Sequence, residues 1–128
     1  MRVLIVDDYA AVRKGVCVIL SSRLDIEVCG EAENGEEAVE KAKALRPDFI
    51  ILDVTMPVLN GFDAAREILK ILPEVPILML SMHQHQQFVD EAKRAGVHGY
   101  VTKAQVADTL LQAVDLLLSG QTYYPEVA

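Results

Sequence analysis

Three short apolar runs without alternation constrain the fold of this chain more than any other feature. The runs are Val3 to Val6, Phe49 to Leu52 and Ile77 to Leu80. A strand with one face in water alternates polar and apolar residues, whereas a strand buried on both faces is apolar throughout. The runs therefore predict the central strands of a parallel sheet that is covered by helices on both sides.

Two weaker segments complete a predicted sheet of five strands. Ile26 to Ala32 alternates in part, as a strand at the edge of a sheet does, and Gly99 to Thr102 is short. Apolar residues recur at helical spacing after each strand, which indicates five amphipathic helices. This alternating order requires right-handed crossovers and an open sheet with helices on both faces. The 128 residues are too few for an eight-fold barrel, which needs about 250.

Polar residues and glycines mark several predicted helix ends. Asn34 followed by Glu37 resembles a capping box, and Asn60 is placed to cap the third helix. Gly96 and Gly120 follow the fourth and fifth helices, where a left-handed residue is favoured.

Composition and charge exclude several classes of protein. With 52% hydrophobic and 24% charged residues, the chain has the composition of one packed domain rather than a disordered or collagen-like protein. The longest apolar run, Val16 to Leu20, is far shorter than the roughly 20 residues that cross a bilayer. Asp7 and Asp8 interrupt the N-terminus where a signal peptide needs apolar residues, so we expect a cytoplasmic protein. The net charge of -7 disfavours direct contact with nucleic acid or anionic membranes.

Chemically active side chains follow four of the predicted strands. The first strand ends at Asp7 and Asp8, the third at Asp53 and the fourth at Ser81, and Lys103 closely follows the fifth. Ligands of open parallel sheets bind beyond the carboxyl ends of the strands, so we expect these residues to lie together. Neighbouring carboxylates repel one another unless a cation neutralises them. We therefore predict a Mg²⁺ site formed by the three aspartates.

A carboxylate beside such a metal can act as a nucleophile toward a phosphoryl group and form an aspartyl phosphate. Lys103 and Ser81 would then hold the phosphoryl oxygens, through an ammonium charge and a hydroxyl hydrogen bond respectively.

Together these residues resemble the receiver domain of bacterial two-component response regulators, over residues 1–120. The resemblance implies a flavodoxin-like (βα)5 three-layer sandwich, an α/β fold whose five-stranded parallel sheet has the order 2-1-3-4-5. It also implies that Asp53 accepts a phosphoryl group from a sensor histidine kinase. Mg²⁺ or Mn²⁺ would be held by the acids and by the backbone carbonyl of Thr55. The matching features are Asp7-Asp8, Asp53-Val54-Thr55-Met56-Pro57 with Gly61, Ser81 and Lys103.

The resemblance also implies a switch. In this family a hydroxyl residue and an aromatic residue on the last strand respond to the phosphoryl group, and here they correspond to Ser81 and Tyr100. Tyr100 would turn inward when Ser81 moves toward the phosphate, changing the surface formed by the fourth helix, fifth strand and fifth helix. Thr55 and His83 would line access to the phosphoryl group. The first helix, with Arg13 and Lys14, would form a kinase-docking face.

One departure from the family pattern points to a subfamily. Many receivers have proline after the lysine, whereas Ala104 follows Lys103 here. The stretch Gly99 to Ala104 and the Tyr-Tyr-Pro sequence that begins at Tyr123 resemble regulators with a C-terminal helix-turn-helix domain. Residues 121–128 are expected to be a tail or the start of a linker. Both a removed DNA-binding domain and a stand-alone receiver stay open, so DNA would be reached only through a domain outside this chain.

Several alternative interpretations compete with the receiver hypothesis. Asp7 and Asp8 alone could cap the first helix, and Tyr100 could simply be a packing residue. A phosphatase of the haloacid-dehalogenase type would need a second aspartate where Thr55 stands, and a flavodoxin-like cofactor binder would need a glycine-rich loop. The strongest rival is a phosphorylation-independent interaction module with a vestigial site. As a receiver, the domain would catalyse its own phosphorylation and dephosphorylation, but it would signal rather than turn over metabolites. It could also form a homodimer on phosphorylation.

Overall fold

The computed structural model describes residues 1–125, in which strands and helices alternate five times as predicted. A single 3₁₀ turn, Lys103–Gln105, connects the last strand to the last helix. The elements are β1 (Arg2–Val6), α1 (Ala10–Leu20), β2 (Glu27–Ala32), α2 (Gly35–Leu45), β3 (Phe49–Asp53), α3 (Gly61–Ile71), β4 (Ile77–Ser81), α4 (Gln86–Arg94), β5 (Gly99–Thr102) and α5 (Val106–Leu118).

The five strands form one parallel sheet in the order β2-β1-β3-β4-β5, which confirms the flavodoxin-like fold. Helices α2, α3 and α4 pack on one face, and α1 and α5 pack on the other. Each face has its own apolar cluster, and successive residues of β3 belong to alternate clusters, with Ile50 in one and Ile51 in the other. Burial on both faces explains why β1, β3 and β4 are apolar throughout.

The two outer strands of the sheet differ in what lies at their outer edges. β2 exposes Glu27 and Glu31, which agrees with its partly alternating sequence and puts charge at a sheet edge. β5 is flanked by residues that follow α5, since Tyr123 forms a parallel bridge with Gly99. Tyr123, within the expected tail of residues 121–128, therefore lies against the sheet, whereas residues 126–128 lie outside the described residues.

Local signals in the sequence account for most helix ends. Asn34 Oδ1 accepts a hydrogen bond from the backbone N–H of Glu37 at 2.8 Å, and the side chain of Asn60 caps α3 in the same way. Gly96 and Gly120 have φ angles of 88° and 86°, as expected for left-handed positions. The left-handed residue at the end of α2, Arg46, was not predicted, because non-glycine residues seldom adopt this conformation.

No helix in residues 1–125 is both long and apolar enough to cross a membrane.

A close backbone approach joins α3 to the end of β3. Gly61 donates its N–H to the carbonyl of Val54 at 2.7 Å, and a Cβ at Gly61 would lie 2.1 Å from the carbonyl oxygen of Asp53. Only glycine fits this position without moving the backbone that carries Asp53.

We predict that Gly61→Ala lowers the free energy of unfolding by roughly 1–3 kcal/mol, because the added methyl overpacks against backbone. Gly15→Ala is the matched control, since Gly15 is exposed in α1 and a Cβ there would meet nothing beyond its own helix backbone within 4 Å. This control substitution should stabilise the protein by about 0.5–1 kcal/mol. Urea unfolding followed by circular dichroism measures both. Equal effects of the two substitutions would contradict the close approach.

Candidate phosphoryl-transfer site

The carboxyl ends of β1, β3 and β5 bring together three acids and one amine. Asp53 is the last residue of β3, Asp7 and Asp8 follow β1, and Lys103 follows β5. Carboxylate oxygens of the three aspartates all lie within 4.8 Å of one another. Among the described residues, this is the one group of three or more acidic, histidine or cysteine side chains close enough to share a metal ion.

Lys103 joins two of these acids. Its Nζ lies 2.9 Å from Asp7 Oδ2 and 3.4 Å from Asp53 Oδ1, and its side chain is only 16% exposed. Burial alone would lower the pKa of Lys103, but the hydrogen bond to Asp7 and the charge of Asp53 outweigh it and raise the pKa. The lysine therefore keeps its positive charge inside the site.

The surroundings of Asp53 disfavour the negatively charged form of its carboxyl group. It is 3% exposed, and burial followed by the charge of Asp7 raises its pKa to about 7, against the opposing effect of Lys103. When ionised, three carboxylates face one ammonium, so the cluster has an excess of two negative charges. The site is thus built to attract further positive charge.

The donor set fits a hard divalent cation. Asp8 Oδ1 is buried and has no hydrogen-bond partner among the described residues, whereas Asp7 Oδ1 accepts the backbone N–H of Tyr9 at 2.9 Å. Thr55 lines the same cleft, of about 230 Å³, together with Asp8 and Asp53. Carboxylate and carbonyl oxygens are the ligands that Mg²⁺ and Mn²⁺ prefer.

A chain of hydrogen bonds connects the two predicted switch residues through His83. The backbone N–H of His83 donates to Ser81 Oγ at 3.0 Å, and the hydroxyl of Tyr100 donates to the backbone carbonyl of His83 at 2.8 Å. Both Ser81 and Tyr100 are fully buried, and burial raises the pKa of the Tyr100 phenol. The sequence did not reveal this link, because it runs through the backbone of a loop.

The side chain of His83 closes one side of the cleft. Its Nε2 lies 3.3 Å from Thr55 Oγ1, and its ring stacks on Phe88 in α4, with centroids 4.1 Å apart and an angle of 6° between the planes. Tyr9 and Met82 also line the cleft and are largely exposed, which the sequence did not predict. The structure therefore places Thr55 and His83 in the same cleft as Asp53, and their role in access to Asp53 stays a prediction.

Arg13 has a place in the site that sequence reasoning missed. One guanidinium nitrogen donates to the backbone carbonyl of Asp7 at 2.6 Å, and Nε pairs with Glu31 on β2 at 3.0 Å. Arg13 is thus engaged with the acid loop, whereas Lys14 on the same helix is exposed. The only sequence feature that pointed to the contact between Arg13 and Asp7 was their separation of six residues. The sequence does not show that Glu31 of β2 is the other partner of Arg13.

Comparisons with known proteins agree on one family. The family model described as "Response regulator receiver domain" matches residues 3–115. The transcriptional regulatory protein DegU of Brevibacillus brevis is 36% identical over 128 residues, which covers 99% of this chain and 54% of that protein. The response regulator protein VraR of Staphylococcus aureus strain Mu3 is 39% identical, covering 99% of this chain and 61% of that protein. The chain thus spans only a little over half the length of these curated relatives.

Solved structures show the same likeness. A LuxR-family two-component response regulator from Aurantimonas sp. SI85-9A1 superposes with a TM-score of 0.91 at 34% identity, covering 95% of this chain and 87% of that one. The isolated REC domain of RcsB from Salmonella enterica serovar Typhimurium, in the presence of phosphomimetic BeF3-, has a TM-score of 0.90 at 25% identity. The match covers 99% of this chain and 94% of that one.

The raised pKa of Asp53 predicts a pH-dependent loss of stability in metal-free buffer. The folded protein holds the Asp53 proton more tightly than the unfolded chain, so the free energy of unfolding should fall as pH rises from about 4 to about 7. The fall is roughly 1 kcal/mol per pH unit. Asp53→Asn should remove this contribution and become more stable than the wild type at about pH 8, with the difference shrinking toward about pH 4.

Urea unfolding in EDTA across this pH range provides the measurement. Asp108→Asn, which removes an exposed carboxylate on α5, controls for the loss of one acidic side chain. A stability difference between wild type and Asp53→Asn that does not change with pH would refute the prediction.

Arg13→Ala should weaken Mg²⁺ binding about three- to tenfold, because the carbonyl of Asp7 loses the bond that holds the acid loop. Titration with Mg²⁺, followed by the amide NMR signals around Asp53, measures the affinity. Lys14→Ala removes an exposed positive charge from the same helix and should leave the affinity unchanged. Equal affinities of the two variants would show that Arg13 does not position the loop.

Proposed function

Because this chain belongs to the response regulator receiver domain family, we propose that it is a phosphorylation-dependent switch of a two-component system, with Asp53 as the phosphoacceptor. The observation that carries the proposal is the position of the Asp53 carboxylate. Asp53 Oδ1 lies 3.4 Å from Lys103 Nζ, and the Asp53 carboxylate forms one cluster with the carboxylates of Asp7 and Asp8. A buried acid beside a fixed ammonium and a divalent-cation site is suited to accept a phosphoryl group.

In the proposed reaction, a carboxylate oxygen of Asp53 attacks the phosphorus of a phosphohistidine on a sensor histidine kinase. The new O–P bond forms while the P–N bond breaks, and the bonding electron pair leaves with the imidazole. Asp7, Asp8, Asp53 and the backbone carbonyl of Thr55 would hold Mg²⁺ or Mn²⁺. The bound cation would offset the charge that spreads over the phosphoryl oxygens.

Lys103 and Ser81 supply the other contacts to the phosphoryl group. Lys103 now pairs with Asp7 and Asp53, and its ammonium is close enough to transfer one of these contacts to a phosphoryl oxygen. Ser81 Oγ accepts a hydrogen bond from the backbone of His83, so its own hydroxyl proton stays free to donate. Both groups would bind more strongly as negative charge builds up on the transferred group.

The proposed conformational switch depends on the contact between Ser81 and the phosphoryl group, because Ser81 is linked to Tyr100 through His83. Movement of Ser81 toward a phosphoryl group pulls on His83, whose carbonyl holds the Tyr100 hydroxyl. A shift from 1:99 to 99:1 between two states needs about 5.5 kcal/mol of differential binding, which a few charge-assisted hydrogen bonds in a buried site can supply in large part. The remodelled surface would comprise α4, β5 and α5. Thr55 and His83 would regulate the lifetime of the phosphoryl group by limiting access to it.

The partners we propose follow from this switch. A sensor histidine kinase supplies the phosphoryl group to this domain in the cytoplasm, and phosphorylation can favour a homodimer. The output is transcription, because the relatives include a transcriptional regulatory protein about twice the length of this chain. DNA would be bound by a C-terminal domain outside these residues, since the chain itself has a net charge of -7. The domain acts as a signalling protein that catalyses its own phosphorylation and dephosphorylation.

Intact mass spectrometry after incubation with acetyl phosphate and Mg²⁺ tests this proposal. We expect the wild type to gain the mass of one phosphoryl group, and Asp53→Asn or added EDTA to abolish the gain. Asp108→Asn, in which the lost carboxylate is exposed and does not line the cleft, should still be phosphorylated. No gain in the wild type, with no binding of beryllofluoride either, would favour the phosphorylation-independent interaction module.

A further inference from the structure

The residues after α5 add a further row of hydrogen bonds to the edge of the sheet. The backbone N–H of Tyr100 donates to the carbonyl of Tyr123 at 2.8 Å, and the N–H of Tyr123 donates to the carbonyl of His98 at 3.1 Å. We call residues 121–125 the β5-edge segment. It pairs with backbone groups of Tyr100 in β5 and of His98 just before it, which would otherwise lie at an open sheet edge.

The β5-edge segment also holds the C-terminal end of α4. The hydroxyl of Tyr124 donates to the carbonyl of Val97, in the loop between α4 and β5. Lys93, in the last turn of α4, places its Nζ 4.7 Å from the centroid of the Tyr124 ring, a cation–π contact. One short segment therefore binds both the strand and the helix of the proposed switch surface.

The opposite end of α4 is tied to the phosphoryl site. His83 stacks on Phe88 in the first turn of α4, and its backbone connects Ser81 to the hydroxyl of Tyr100. Tyr100 uses its side chain for this link and its backbone N–H for the bond to Tyr123. A continuous set of contacts thus runs from the site, through one residue of β5, to the β5-edge segment.

We propose that the β5-edge segment is the output element of the switch, docked on β5 and α4 when Tyr100 faces inward and released when it does not. The proposal rests on the function proposed above and adds the means of transmission. In this structure Tyr100 is 0% exposed and the segment is docked, so the two features occur in one state. A phosphoryl group that favours the inward state would then hold Tyr123 and Tyr124 at the edge of the sheet.

The alternative is a passive role, in which the segment merely covers the edge of the sheet. The two roles differ in one measurable respect. A passive cover has the same stability whether or not the site is occupied, whereas an output element is coupled to the site, and the coupling is reciprocal. Occupation of the site should strengthen docking, and weakening the docking should lower affinity at the site by the same factor.

The first expectation is that occupation of the site strengthens docking of the β5-edge segment. Hydrogen exchange of the 128-residue protein, measured by NMR with and without beryllofluoride and Mg²⁺, tests it. We expect the Tyr123 and Tyr100 amides to exchange at least about threefold more slowly when the analogue is bound. Signals of Val54 and Ala104, next to Asp53 and Lys103, report binding independently. Bound analogue with unchanged exchange at Tyr123 would overturn the output role and leave the proposed function intact. No change at Val54 and Ala104 would overturn the proposed function, and with it this inference.

Two tyrosine variants test the second expectation, that weaker docking of the β5-edge segment lowers the affinity of the site for beryllofluoride. Tyr124→Phe removes the hydrogen bond to Val97 and keeps the ring, and it should weaken beryllofluoride binding about three- to tenfold. Tyr123→Phe is the matched control, because it also removes one phenol hydroxyl from the segment and keeps the backbone pairing of residue 123 with β5. Circular dichroism confirms that both variants fold. Equal affinities of wild type, Tyr124→Phe and Tyr123→Phe would overturn the coupling.

Discussion

Burial of like charges at the carboxyl end of β3 is the constraint on which the rest of this structure depends. Asp53 is almost fully enclosed beside Asp7, and Lys103 is the one positive charge within residues 1–125 that contacts both. Such a cluster is costly without a further cation, because each desolvated carboxylate repels the others. The cost is compatible with folding since the surrounding strands are apolar on both faces and supply a large hydrophobic stabilisation. The same cost creates the demand for a divalent cation.

The strand order brings several different functional groups to the carboxyl end of β3, around Asp53. The order β2-β1-β3-β4-β5 places β3 at the centre, so that Asp53 has β1 on one side and β4 on the other. Each nearby strand end contributes a different chemical group, namely carboxylates after β1, a hydroxyl at the end of β4 and an amine after β5. The connection to α4 is made by His83, through its backbone and its stacked ring. Packed groups thus connect the end of β4 to β5 and to α4, and these connections are the ones that the proposed switch would use.

The fold and the main residues of the site were predictable because their signals are local or periodic. Non-alternating apolar runs indicated β1, β3 and β4, and the residues that end those strands had to share one edge of a parallel sheet. Asn34 and Asn60 cap their helices through contacts three residues away, which a sequence shows directly. The role of Arg13 was not predictable, because Glu31 and the carbonyl of Asp7 become its neighbours only when α1 packs beside β2. Residues 121–128 were expected to be a tail or the start of a linker, because no local pattern marks the pairing of Tyr123 with β5.

The sequence by itself determined the class of fold and the strand ends at which the acids, the hydroxyl and the amine lie. Those features depend on hydrophobic periodicity and on residue type, which are properties of the chain alone. Only the tertiary structure decided the charge balance around Asp53, the backbone link from Ser81 through His83 to Tyr100, and the docking of Tyr123 and Tyr124. These features depend on burial and on contacts between residues that lie far apart in the sequence, so no local pattern of residue types predicts them.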